Sequence, residues 1–296
     1  MLNAYKSNNQ EHDIVYIQGF SGWALMKYFR KNHIKTPTLL NYHGLEMFQA
    51  PASRKHSFIN AIFRPFVRRN IKLANYSQSL GGKLTDILFK VLRNRERIVE
   101  LGIGVSSGWI HKAEQLDTNK TIKFVFLGRY ERRKGIEELS AVLKELIEEE
   151  EYQLEFEFIG PIPEDKRLKY LNIQYHGLIR EQSNIQSILQ KSDVLVCPSY
   201  SEGMPTVILE AMASGCAIIA SDVGAVSELV SEKNGFLIQP KNKQELKDKI
   251  IKCIDMTTNE LEKLKKVSRV IVKENYLWEN EIRKHLDLFH QIIKGR

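Results

Sequence analysis

Short apolar runs alternate with longer stretches whose apolar residues recur every three or four positions, from residue 13 onward. The short runs are apolar on both faces and read as buried strands; the longer stretches read as helices covering them. In the first half, Asp13–Gln18 (DIVYIQ), Thr38–Tyr42 (TLLNY) and Arg97–Leu101 (RIVEL) are the strand candidates. Trp23–Asn32, a long stretch from Ser53 to about Leu73, and Gly81–Leu92 are the helix candidates. After a linker near Trp109–Lys120 the pattern restarts with Ile122–Leu127, then Glu155–Ile159, Asn172–Tyr175, Val194–Cys197, Ala217–Ala220 and Gly235–Ile238. Helices are expected between them at about Ile136–Glu150, Ile185–Gln190, Thr206–Ala213, Val226–Val230 and Lys243–Asp255, with an amphipathic tail from about Trp278. Six strands with intervening helices make one complete doubly wound α/β domain, a form that binds ligands beyond the carboxyl ends of its strands. The first half shows about three convincing strands.

Composition narrows the class. The 296 residues are 43% hydrophobic and 27% charged, as in an average globular protein. No apolar run approaches the roughly 20 residues that span a bilayer, and Met1–His12 contains no signal-peptide core. Cys197, Cys216 and Cys253 match no zinc or redox spacing and read as small buried residues in a reducing cytoplasm. Charge is unevenly shared: residues 1–118 carry 17 Lys and Arg against 8 Asp and Glu, whereas the remainder sums to −1. Such a field favours phosphate-rich partners such as anionic headgroups or lipid diphosphates. No nucleic-acid-reading motif accompanies it, so nucleic acid is not an expected partner.

The most informative stretch is Ser192–Glu210, SDVLVCPSYSEGMPTVILE. A buried strand ends at Cys197, a Pro-Ser turn follows, and Glu202-Gly203-Met204-Pro205 opens a helix. Pro205 suits the first helical position, where its missing N–H costs nothing. The exposed amides at the start of that helix, around Thr206, suit phosphate oxygens. Gly203 lets backbone approach a ligand, and Glu202 and Glu210 can each accept hydrogen bonds from sugar hydroxyls. A second pattern, Phe126-Leu127-Gly128-Arg129 followed by Lys134-Gly135, places two cations in the loop beyond another strand. Arg132 and Arg133 in the same loop read as surface charges.

Together with Glu210-Ala211-Met212-Ala213, Ser221-Asp222-Val223-Gly224 and Asn234-Gly235, these segments resemble glycosyltransferase family 4, the retaining group 1 glycosyltransferases. The resemblance implies a GT-B fold, two Rossmann-type domains facing a cleft: residues 1–118 joined by the terminal helix 278–296, and a nucleotide-sugar-binding domain at 119–277. It implies that Arg129 and Lys134 bind the donor diphosphate and stabilise its charge as it leaves, that Glu202 contacts the donor sugar, and that Gly128, Gly203, Met204, Pro205, Thr206 and Glu210 line the donor site. Leu178, after Tyr175-His176-Gly177, corresponds to the strand edge that meets the nucleobase; His176 itself reads as a packing residue. His43, in Tyr42-His43-Gly44-Leu45-Glu46, corresponds to a histidine facing the reacting sugar. Ser77–Leu80 resembles a strand that precedes a helix at Gly81, and Gly102–Val105 the strand end before the linker. The implied reaction is transfer of a hexosyl unit, with retention, from a UDP- or GDP-sugar to a saccharide or lipid-linked acceptor. Polysaccharide or glycolipid biosynthesis is its setting. The leaving diphosphate is thought to help deprotonate the acceptor. Asp193 and Asp222 form no DxD pair, so neither metal nor cofactor is expected.

The resemblance covers Thr121 onward almost completely, but the first half only from about Asp13. The family's opening strand and glycine-rich loop find no counterpart, so an incomplete N-terminal domain, completed by a partner chain, is one expectation. A non-catalytic nucleotide-sugar-binding subunit or remnant is therefore the rival reading. A sugar-nucleotide epimerase is a third, disfavoured by the EGMP–EAMA segment. Finally, Phe58, Ile59, Ile62, Phe63, Phe66, Val67 and Ile71 share one helix face, flanked by Arg54, Lys55, Arg64, Arg68, Arg69 and Lys72. This 54–72 stretch reads either as a domain helix or as a contact with the anionic inner face of a membrane. Pro65 is expected to kink or split it.

Overall fold

The computed structural model describes residues 1–7, 12–110, 121–149 and 152–295. The expected domain boundary at 118/119 and most of the linker lie outside the described residues, as does the expected end of the first long helix of the second half at Glu150. In the first half, β1 (Val15–Gln18), β2 (Thr38–Asn41), β3 (Tyr76–Ser79) and β4 (Ile98–Glu100) form one parallel sheet in that order. Helices α1 (Leu2–Ser7), α2 (Trp23–Lys31), α3 (Arg54–Leu73) and α4 (Lys83–Leu92) precede or connect them.

The second half holds β5 (Lys123–Leu127), α5 (Ile136–Glu148), β6 (Glu155–Ile159), β7 (Ile173–Gly177), α6 (Gln182–Lys191), β8 (Val194–Cys197), α7 (Thr206–Ser214), β9 (Ala217–Ser221), α8 (Val226–Leu229), β10 (Gly235–Ile238) and α9 (Lys243–Ile254). They are followed by α10 (Thr258–Asn275) and α11 (Trp278–Lys294). The six strands pair in parallel in the order β10-β9-β8-β5-β6-β7. The chain builds β5, β6 and β7 outward on one side, then returns to place β8 on the other side of β5. Strand order therefore reverses between β5 and β8, and the loops leaving these two strands diverge around a crevice.

Three features differ from the sequence reading. The first sheet has four strands where apolar patterning shows three: Tyr-Ser-Gln-Ser at β3 is too polar to register as an apolar run, although the family resemblance marks a strand at Ser77–Leu80. The charge-rich α10 is a full helix that packs Leu261 and Val272 inward. Pro65 does not split α3, which runs unbroken through 20 residues. Pro65 lies on the exposed side of the helix, where water can satisfy the carbonyl that its missing N–H leaves free.

Phe124, Phe126, Phe156, Phe158 and Tyr175 form an aromatic ladder across β5, β6 and β7, with Phe158 and Tyr175 stacked at 4.8 Å and Phe156 and Phe158 at 4.6 Å. Leu139, Val142, Leu143 and Leu146 of α5 join the same buried cluster. The opposite face of this sheet shares a continuous apolar cluster with the first half, which contributes Leu80, Val105 and Trp109 beside Met204. The C-terminal helix belongs spatially to the first sheet: Phe289 lies 5.9 Å from the ring of Tyr16. At the start of α11, Val105 and Trp278 exchange backbone hydrogen bonds with Tyr276 and Val105.

Candidate active site

The loops that leave β5 and β8 are laced together. Gly135, the cap of α5, has a left-handed backbone (φ 67°), and a Cβ there would fall 2.1 Å from the Pro198 carbonyl oxygen. Only glycine permits both the conformation and the approach. The Tyr200 N–H donates to the Arg133 carbonyl at 2.8 Å. Arg132 donates from Nη1 and Nη2 to the two Glu138 oxygens at 2.5 Å and also reaches the Tyr200 hydroxyl. Burial raises the Glu138 carboxyl, but the Arg132 and Tyr200 hydrogen bonds outweigh it and hold the group below its ordinary value. Arg132 is therefore a clamp between the loops and not the surface charge the sequence suggested.

On this scaffold the charged groups converge. Lys134 Nζ lies 2.7 Å from Glu202 Oε1, and Arg133 Nη1 lies 3.6 Å from Glu202 Oε2 and donates to the Ser201 carbonyl at 3.0 Å. Arg133 is thus a second cation on Glu202, again contrary to the reading as a surface charge. Arg129, 70% exposed, pairs with Glu131 at 3.1 Å, and Glu131 also meets Arg133 at 3.4 Å. Three cations and two carboxylates so occupy the crevice where strand order reverses. The arrangement can exchange anions: a diphosphate entering here would meet Arg129, Arg133 and Lys134, whose present partners are the protein's own carboxylates.

The other expected residues stand on the ends of β5 and β7 and on α7. Gly128 immediately follows β5 and donates its N–H to the Ile159 carbonyl. Leu178, 65% exposed, follows β7 on the same edge. Pro205 stands at the cap of α7, one position before the first helical residue, so Thr206 is the exposed residue at the helix mouth. Glu210 is half-buried within α7; among the described residues no cation or hydrogen-bond donor meets its carboxyl, which burial raises above its ordinary value. Met204 turns toward the first half, where the Ile103 N–H approaches its sulfur at 3.5 Å.

The first half closes over the site. A Cβ on Gly203 would lie 1.7 Å from the His43 carbonyl oxygen, so the Glu202-Gly203 backbone and the end of β2 are in direct contact. His43 is exposed and follows Tyr42, whose hydroxyl burial pushes up to about 12. On the other flank the start of α4 reaches across. Lys83 pairs with Asp222 at 2.8 Å, the Lys83 N–H donates to the Gly224 carbonyl, and the Gly82 N–H donates to Glu228 at 2.9 Å. Sequence reasoning missed these cross-cleft pairings and Gln49, described below: Asp222 and Gly224 stand in the Ser221–Gly224 segment, but no motif marks Gly82, Lys83 or Gln49. Among the described residues no three His, Cys, Asp or Glu side chains gather as metal ligands would.

Comparison with known proteins agrees with this geometry. Residues 109–270 match the model of the glycosyl transferases group 1 family. A Bacillus subtilis protein assigned to teichuronic acid biosynthesis, glycosyltransferase TuaC, is 29% identical over 221 residues, covering 72% of this chain. This chain spans 54% of the length of that relative. Among solved structures, sucrose-phosphate synthase from Thermosynechococcus elongatus superposes with a TM-score of 0.77 at 18% identity, covering 99% of this chain and 77% of its own. Anabaena HepE, crystallised with UDP, does so with a TM-score of 0.70 at 17% identity, covering 94% and 79%. These likenesses extend the shared fold through both sheets. With two parallel-sheet domains meeting at a charged crevice in the GT-B manner, the chain belongs to the glycosyl transferases group 1 family.

Proposed function

We propose that the protein transfers a hexosyl unit, with retention, from a nucleotide-diphosphate sugar to a saccharide or lipid-linked acceptor in polysaccharide or glycolipid assembly. The observation that carries this reading is the meeting of Lys134 and Arg133 with Glu202 at the switch point, next to the mouth of α7 and Arg129. Breaking a glycosidic bond to a diphosphate leaves growing negative charge on the leaving group. Cations and helix-start amides already fixed around it stabilise that charge more in the transition state than in the ground state. Glu202 is then released to accept hydrogen bonds from the sugar. Glu210, whose carboxyl meets no cation among the described residues, is assigned to a ribose hydroxyl, and Leu178 to the base. His43 is assigned to the sugar or its leaving oxygen from the far wall. The HepE complex supports UDP as the carrier to test first, and the TuaC likeness supports a polysaccharide acceptor. The chemistry assigned to these residues requires neither a metal nor a cofactor.

Calorimetry with UDP and GDP, and release of nucleotide diphosphate from the sugar donors in the presence of acceptor extract, test the reading. Lys134→Ala should lower turnover by roughly 100- to 1000-fold, and charge reversal at Arg129 and Lys134 together should abolish nucleotide binding. Unchanged affinity in the double reversal rejects the assignment. Nucleotide binding without release under any acceptor condition would favour a sugar-nucleotide-binding subunit instead.

We also infer that α3 rests on an anionic membrane at the cytoplasmic side. Its C-terminal part packs inward through Val67, Asn70 and Ile71, but Phe58 is 69% exposed, and Ile62, Phe63 and Phe66 are about half exposed on the same helix. Arg54, Lys55, Arg68 and Arg69 surround them and are exposed. Apolar rings beside cations suit a lipid interface. Among the described residues no helix is long and apolar enough to cross a membrane. Flotation on vesicles with and without anionic lipid checks this; equal recovery with both rejects it.

A further inference from the structure

The residue that holds Glu202 from the opposite side of the cleft is Gln49. The chain leaves β2 through His43 and Gly44, and Leu45 then adopts a left-handed backbone (φ 71°, ψ 37°) although it is buried and bulky. Such a conformation is rare outside glycine, asparagine and aspartate, and it persists only where the surroundings demand it. Here it turns the chain into a 3-10 turn at Glu46–Phe48, which delivers Gln49 to the crevice.

The Gln49 amide is then fully engaged. Nε2 donates to the Glu202 carbonyl at 2.6 Å and to the Gly44 carbonyl at 3.2 Å, and Oε1 accepts the Glu202 N–H at 3.3 Å. Only one orientation of the amide satisfies all three, and it grips both backbone groups of one residue of the second half. Nearby, Lys241 donates to the Pro51 carbonyl at 2.5 Å, so the segment around Gln49 is held to the second half at more than one point.

We propose that Gln49 is a positioning residue for Glu202, one that makes the alignment of this carboxylate conditional on closure of the two halves. The inference rests on the reading of Glu202 as a donor-sugar contact. In the present arrangement the Glu202 carboxylate is restrained by Lys134 and Arg133. Once a diphosphate draws those cations away, its side chain loses both restraints. The backbone pairing with Gln49 then sets where the carboxylate points, and that pairing exists only while the halves are together.

The test compares the wild-type chain with Gln49→Ala and Gln49→Glu. UDP affinity by calorimetry should stay within about twofold, because the nucleotide meets the second half. The kcat for donor turnover should fall roughly tenfold or more with little change in donor KM. Gln49→Glu should fall further, since its carboxylate faces the Glu202 carbonyl. Small-angle X-ray scattering should show both variants more open than wild type. Wild-type kcat in both variants, or scattering profiles that match wild type, overturns the proposal. A parallel loss of thermal stability, kcat and KM would reduce Gln49 to a structural role and also overturn it. Failure of the wild-type chain to bind any nucleotide would instead sink the transferase reading, and scattering would still decide whether Gln49 holds the halves closed.

Discussion

The two sheets are built from different material. β5 and β8, at the centre of the second sheet, are apolar on both faces, and the aromatic ladder packs between β5–β7 and α5, its one polar atom, the Tyr175 hydroxyl, accepting the Leu168 N–H at 2.9 Å. The first sheet buries Thr38, Asn41, Ser77, Gln78 and Ser79 among its short strands. Their order comes from hydrogen bonds: Tyr16 donates to Gln78 at 2.6 Å, Asn41 to Tyr16 at 3.0 Å, and Gln78 to the Leu101 carbonyl at 3.0 Å. Among the described residues Asn41 Oδ1 and Ser77 Oγ find no partner, as do Ser214 Oγ and Ser221 Oγ in the second half. A dense apolar core holds loops to a fixed geometry, whereas a polar one holds a sheet only while every partner is in place. The half that carries Lys134, Glu202 and Glu210 is therefore the rigid one, and the half that carries His43 and Gln49 depends on bonds that a single substitution can remove.

This contrast can be broken or sharpened by substitution. Phe158→Ala, at the centre of the ladder, should destabilise the second half by about 3–5 kcal/mol, read as a lowered urea midpoint together with loss of nucleotide binding. Gln78→Leu should cost about 1–3 kcal/mol by leaving the Leu101 carbonyl unpaired. It should leave UDP affinity intact while turnover falls; a stabilised Gln78→Leu variant would show that the first sheet gains nothing from its polar network.

The smallest effect should come from Glu210→Gln, and it has the opposite sign for stability. Burial raises the Glu210 carboxyl above its ordinary value, so the folded protein keeps that proton to a higher pH than the unfolded chain does. Ionisation therefore subtracts stability as pH rises from the unfolded value through the raised folded one. Glu210→Gln should melt slightly higher at neutral pH, the gain shrinking below the ordinary carboxylate pKa, while UDP affinity drops. Equal melting at both pH values would show that the carboxyl is better solvated than its position implies.

The sequence made the second half legible because its signals are contiguous. Strand, Pro-Ser turn, SEGMP and helix follow one another within twenty residues, and the apolar runs of β5, β6, β8 and β9 stand out from their charged surroundings. The first half was harder to read for a physical reason: β3 is Tyr-Ser-Gln-Ser, a strand held by polar side chains, which hydrophobic patterning passes over. α10 was missed because its buried residues are widely spaced among lysines and glutamates. Arg132 and Arg133 sit in a run of charge that looks solvated until Tyr200, Glu138 and Glu202 are brought over it from 68 positions away or a helix turn beyond. Gln49 carries no local signal at all, since its partner lies 153 residues on. The doubly wound form read from the sequence implies a reversal of strand order; what it left open was that the reversal falls between β5 and β8, which makes the two charged loops neighbours.

The packing of α11 on the first sheet has a consequence for how the molecule is made. As the chain emerges from the ribosome, β1 to β4 are complete by residue 100, but the helix that places Phe289 on Tyr16 lies almost two hundred residues later. At translation speeds of about 5–20 residues per second the nascent first sheet waits roughly ten to forty seconds for its cover. During that interval Tyr16 and the neighbouring side chains on that face are open to chaperones. Loss of α11 by early termination would spare the nascent second half but leave the Tyr16 face of the first sheet without its cover.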